Sequence, residues 1–168
     1  MRRVGMALVL AFSLAAVTAP VAAAAAPPSI PYHGAYDVST SLPDAGLGCE
    51  QPVLWQFDLS YEYVDFFLKD GTVREVGHQV EQDTFTANGK TLVGNPYKLA
   101  YTALLSDMYW TTVYSFVGSG TLLSVTLPDG RLIQSSGRLD FLASAGPWWT
   151  PDSGHSGDID AICEYFFG

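Results

Sequence analysis

VLWQFDLSYEY, residues Val53 to Tyr63, decides the fold class. Val53, Trp55, Phe57, Leu59, Tyr61 and Tyr63 alternate with Gln56, Asp58, Ser60 and Glu62. A period of two held over eleven residues is the mark of a β-strand with one buried face and one wet face. After Tyr63 the alternation slips: Asp65 stands where an apolar residue is due, and Val64, Phe66 and Leu68 take over. Such a slip predicts a β-bulge or tight bend, a device that curls a sheet towards closure.

The flanking sequence continues in the same style. Asp70-Gly71 lies between FFLK and TVREVGHQV, and Asp129-Gly130 lies between VTLP and RLIQSSGRLDF. An Asp-Gly pair between alternating runs is a strong short-range hairpin signal. In the second run Ile133, Leu139 and Phe141 share one face, while Gln134, Arg138 and Asp140 share the other, so Arg138 and Asp140 are surface neighbours in a strand. Asn88-Gly89 in TANGKTL predicts another tight turn, and further strands are expected at Tyr97–Leu104, Tyr109–Val117 and Leu122–Leu127, with Gly118 and Gly120 where the pattern changes phase. The ending GDIDAICEYFF predicts one short helix capped by Asp158, with Ile159, Ile162, Cys163 and Phe166 on one side. The expectation is an all-β fold, a small antiparallel up-and-down barrel of six to eight strands with a short C-terminal helix. A β-sandwich is the alternative.

The two ends of the chain speak to its compartment. MRR precedes the uncharged apolar run VGMALVLAFSLAAV, Pro20 and VAAAAA, which predicts a secretory signal peptide over residues 1–24 with cleavage at Ala23, Ala24 or Ala25. The competing reading is an uncleaved anchor, since the apolar block is nearly long enough to span a bilayer. Residues 25–48, rich in Pro, Gly and Ala, read as an N-terminal arm, and residues 49–168 as one β-barrel domain. Cys49 and Cys163 stand near the two ends of that domain, and in an exported chain they are expected to form a disulfide, two free buried thiols being the alternative.

Loss of the leader takes Arg2 and Arg3 with it and leaves 6 Lys+Arg against 17 Asp+Glu. That balance repels phosphate backbones and anionic lipid, so neither nucleic acid nor a membrane span after cleavage is expected. A secreted monomer follows as the expectation.

Candidate chemistry is sparse. DSGHSGD, Asp152 to Asp158, gathers Ser, His and Asp, but a nucleophile elbow needs a strand before it, a long helix after it and a histidine downstream, and only ten residues follow. It reads as a polar loop leading into the helix. In VREVGHQVEQ, Val76, His78 and Val80 share one face; were that face interior, His78 would be a titratable group in an apolar cavity. Trp55, Trp110 and Tyr114, with Tyr109, Trp148 and Trp149, supply rings for a barrel interior or for a flat ligand. His78, Trp55, Trp110 and Tyr114 are therefore the candidate ligand-binding residues. Asp158 and Asp160 lack calcium-loop spacing, and no phosphate loop or zinc motif occurs, so no catalytic residue, metal or cofactor is assigned.

Taken in order, CEQPV, a DG turn, NGKTL, a GSG step, LPDG, SSGRLDF and GDIDAIC resemble a broad group of small secreted proteins of high-GC Gram-positive bacteria that has no assigned activity. The resemblance covers most of residues 49 to 163 and implies a closed or nearly closed β-barrel similar to those of allene oxide cyclases and dirigent proteins. Those relatives guide cyclisation or coupling of small apolar molecules, yet none of their catalytic residues matches a position here. The leading expectation is thus a secreted barrel that binds a small apolar or aromatic ligand inside. The alternatives are a cyclase- or isomerase-like enzyme using His78 or a tyrosine, and a cell-envelope module acting through its acidic outer face.

Overall fold

The computed structural model describes residues 31–143 and 148–168. The signal peptide expected at residues 1–24 lies outside them. Eight strands and one helix follow in the order β1 (Tyr32–Leu42), β2 (Leu54–Phe67), β3 (Val73–Ala87), β4 (Lys90–Val93), β5 (Tyr97–Leu105), β6 (Val113–Thr126), β7 (Leu132–Asp140), β8 (Ser153–His155) and α1 (Asp160–Phe167). Every pairing is antiparallel, and the sheet runs β1-β2-β3-β5-β6-β7-β8 with β4 hydrogen-bonded to β3.

The Asp-Gly turns form as expected, and both have one geometry. The Gly71 N–H bonds Leu68 O at 3.1 Å and the Leu68 N–H bonds Thr72 O at 2.8 Å; around Gly130 the same bonds join Leu127 and Arg131. Gly71 and Gly130 take φ of 89° and 88°, where a side chain is disfavoured, and Asp70 and Asp129 each accept the N–H two residues on at 3.0 Å.

Four expectations need correction. The sheet does not close into a barrel: β1 and β8 are its ends, and they do not pair. The edges explain this, for β8 has three residues, all exposed, and β1 is exposed along most of its length. The curl instead brings rings together, with Trp55 of β2 5.7 Å from Trp148 and 4.8 Å from Trp149 beyond β7.

The slip after Tyr63 is not a bulge. β2 and β3 stay in register from Leu54↔Thr86 to Phe67↔Val73, so Asp65 keeps the inward face and is buried. The register shifts fall elsewhere, between Leu104 and Leu105 and between Thr121 and Leu123. The strands expected at Tyr109–Val117 and Leu122–Leu127 are one strand, β6, running through Gly118 and Gly120. Gly118 is needed there because a Cβ would stand 2.7 Å from the Phe141 ring.

Within the expected arm, residues 32–42 form β1, paired with β2 over its whole length. Cross-strand bonds from Ser39 to Asp58 and from Ser60 to Asp37 tie its outer face, where polar composition signals neither strand nor loop.

The helix and the disulfide match expectation. Ala161, Ile162 and Phe166 pack with Phe85, Leu123, Val125 and Ile133, so α1 plugs the end where β3 and β6 finish and β7 begins. The Asp158 carboxylate accepts the Ala161 N–H at 3.3 Å. Asn88 and Lys90, at the Asn-Gly turn, donate to the carbonyls of Tyr165 and Phe166, which places a cation at the helix C-terminus. Cys49 and Cys163 are bonded with a Cα–Cα distance of 5.3 Å, pinning α1 to the approach of β2. No helix among the described residues is long and apolar enough to cross a membrane.

Candidate functional site

The concave face of the curled sheet lines a half-open cavity of about 320 Å³. Trp55, Phe57, Leu59 and Tyr61 of β2 form one wall, and Leu99, Phe116, Leu122 and Phe141 form the facing one. Phe116 and Phe141 stack at 4.7 Å. Trp149 closes the cavity beneath, its indole N–H bonded to Ala45 O at 3.0 Å, while the exposed Leu142 and Trp148 stand where it meets solvent.

The polar part of the wall comes from β3. Its buried residues are Val73, Glu75, Gln79, Glu81, Asp83 and Phe85, so the acids and the glutamine face inward. Val76, His78 and Val80 face out, the reverse of the orientation that would make His78 an interior group. The sheet has chosen the register that buries Phe85 and Val73, and Gln79, Glu81 and Asp83 share their parity.

Glu81 and Asp83 sit next to each other on this face, 7% and 0% exposed. The Gln79 amide donates to Glu81 Oε2 at 2.7 Å, and the Trp55 indole N–H donates to Asp83 Oδ1 at 2.7 Å. Asp83 Oδ2 has no partner among the described residues. Burial, reinforced by the charge of Asp83, pushes the Glu81 carboxyl up to about 8. Burial also raises Asp83 to about 6, against the pull of the Trp55 hydrogen bond. Both carboxyls thus hold a proton more tightly than an exposed acid, and a proton kept on Glu81 makes it a donor towards Asp83. Burial and the two carboxyls also hold the Tyr97 phenol well above its ordinary value.

A second acid pair lies further along the face. Asp65 and Glu75 are cross-strand partners, and Glu75 accepts from the Tyr101 phenol at 2.6 Å and the Trp110 indole at 3.1 Å. Burial and the neighbouring Glu75 push Asp65 up to about 6. Gly77 makes room for Tyr101, since a Cβ there would lie 2.7 Å from its hydroxyl.

The four ligand candidates thus separate. Trp55 lines the cavity. Trp110 serves the Asp65–Glu75 pair and is not a cavity residue. Tyr114 is 56% exposed, and the His78 side chain, 49% exposed, meets Glu62 at 3.3 Å on the outer surface. Composition hid Glu81, Asp83 and Gln79, because charged residues are read as outward-facing. The signal was the parity of Val73 and Phe85.

Arg131 pairs with Asp129 at 2.7 Å within its own turn, and DSGHSGD supplies the exposed edge strand β8. No cluster of metal-ligating side chains occurs among the described residues.

Comparison of the chain with protein-family models, with curated proteins and with solved structures found no match.

Proposed function

We propose that this chain is an exported protein that holds one small apolar or aromatic molecule in the concave cavity of its sheet. The observation that carries the reading is the cavity itself. Here about 320 Å³ is walled mainly by rings and leucines, with a few polar groups on one side, the arrangement of a small-molecule site. The ring edges and faces suit a flat ligand, and Gln79 and Glu81 supply an amide and a carboxyl to orient it. The acidic balance of the chain disfavours anionic ligands.

Titration with naphthalene, followed by quenching of tryptophan fluorescence, tests the reading, because Trp55, Trp148 and Trp149 line the cavity. Saturation at one molecule per chain is expected, with loss of binding in Leu59→Trp, which fills the space. Absence of saturable binding to the native chain would overturn the proposal.

A further inference from the structure

The cavity wall carries two buried acids that no cation of its own surroundings balances. Glu81 stands on the wall and Asp83 lies beside it, fully buried. Gln79 and Trp55 donate hydrogen bonds to the pair but bring no positive charge. Two carboxyls thus meet with only neutral donors around them, and an ionised member of the pair has no counter-ion beside it.

No cation of the chain reaches it among the described residues. Lys69, Arg74, Lys98, Arg131 and Arg138 are exposed, and the three histidines are exposed as well. Lys90 is engaged with the carbonyls at the end of α1. A buried charge is ordinarily paired or neutralised, because leaving it alone in a low-dielectric setting is costly.

The rest of the lining is what a cation with an apolar body needs. Trp55, Phe57, Tyr61, Phe116, Phe141 and Trp148 present aromatic groups around one space. Ring faces attract ammonium groups, and more so where water is excluded. A neutral hydrocarbon of the same shape would use the rings but leave the carboxylate unmatched.

We propose that the cavity selects an organic monocation, a protonated or quaternary amine on a small apolar body, with the Glu81–Asp83 pair as its counter-charge. The inference rests on the cavity reading above and narrows its ligand class.

The test compares two probes of nearly the same shape, phenyltrimethylammonium and tert-butylbenzene, by calorimetric titration at neutral pH. The variants are the native chain and the isosteric double substitution Glu81→Gln/Asp83→Asn. The expected result is that the native chain binds the cation at least about tenfold more tightly than the hydrocarbon. In the double variant that preference disappears while hydrocarbon binding persists, which also shows that the variant is folded and its cavity intact. Equal binding of both probes by the native chain, or tighter binding of the hydrocarbon, would overturn the inference and leave the cavity reading standing. A cation preference that survives the double substitution would overturn the assignment to Glu81 and Asp83. Binding of neither probe would overturn both readings.

Discussion

The indole N–H of Trp55, on β2, donates to the buried carboxylate of Asp83, on β3, at 2.7 Å. The two residues are not cross-strand partners: Trp55 lies opposite Phe85 and Asp83 lies opposite Phe57. The bond therefore runs diagonally across the concave face and holds one cavity wall against its acidic edge. Trp55→Phe keeps most of the ring and removes the donor to Asp83 Oδ1. A loss of about 2 kcal/mol of stability is expected from the uncompensated buried acceptor, read by urea denaturation near neutral pH. No loss would mean that Asp83 finds another donor.

The raised carboxyls set the sign of the pH dependence. Glu81, Asp83 and Asp65 bind protons more tightly in the folded chain than in the unfolded one. Where the folded state holds more protons, stability falls as pH rises. The fall begins near the ordinary carboxyl range, is complete for the aspartates above about 6 and continues for Glu81 to about 8. Glu81→Gln retains an acceptor for Gln79 and a donor for Asp83 without a proton to lose. Between pH 7 and 9 its stability is expected to stay nearly flat while that of the native chain drops by about 1 kcal/mol. Parallel curves would place the titration on another group.

Reduction of Cys49–Cys163 releases a loop spanning 114 residues and frees α1 from the approach of β2. In the chain-entropy account such a cross-link contributes about 4 to 5 kcal/mol. Thermal unfolding with and without reductant is expected to show a large fall in Tm. Helix plug and cavity should be lost together, since α1 shares its core with Trp55 and Trp149.

Gly77→Ala tests the second acid pair. The new methyl would stand 2.7 Å from both Glu62 O and the Tyr101 hydroxyl, so Tyr101 must swing away from Glu75. A loss of about 2 kcal/mol is expected from the broken buried bond and the overpacking. An unchanged urea midpoint would show that Tyr101 does not depend on that space.

His78→Ala makes the opposite point. Its ring lies on the outer surface against Glu62 and away from the cavity. Stability is expected to change by less than about 0.5 kcal/mol, and naphthalene binding not at all. A loss of binding would return His78 to the site.

How far the fold was legible follows from what local chemistry controls. The Asp-Gly and Asn-Gly turns, the alternation from Trp55 to Tyr63, the inward set Ile133, Leu139 and Phe141 and the helix at Asp160–Phe167 are all properties of short stretches. Backbone conformation and side-chain period determine them before any long-range contact forms. The amino-acid sequence alone determined these, together with the acidic balance of the chain.

Tertiary structure decided the rest, because it depends on which face each strand turns to its neighbours. In β3 two registers compete: one turns Val76, His78 and Val80 inward, the other buries Val73 and Phe85 along with Glu75, Gln79, Glu81 and Asp83. Local pattern favours the first, since it hides valines and exposes acids. The assembled sheet selects the second because Phe85 fits the core beneath α1 and Trp55, Tyr101, Trp110 and Gln79 supply hydrogen bonds that make the buried acids tolerable. Those donors sit on other strands and loops, or two positions along the same face, and none is visible from the acids' immediate neighbours. The open seam has the same origin: closure requires two long edges that meet, and here the curl ends on the three residues of β8 and on tryptophan rings.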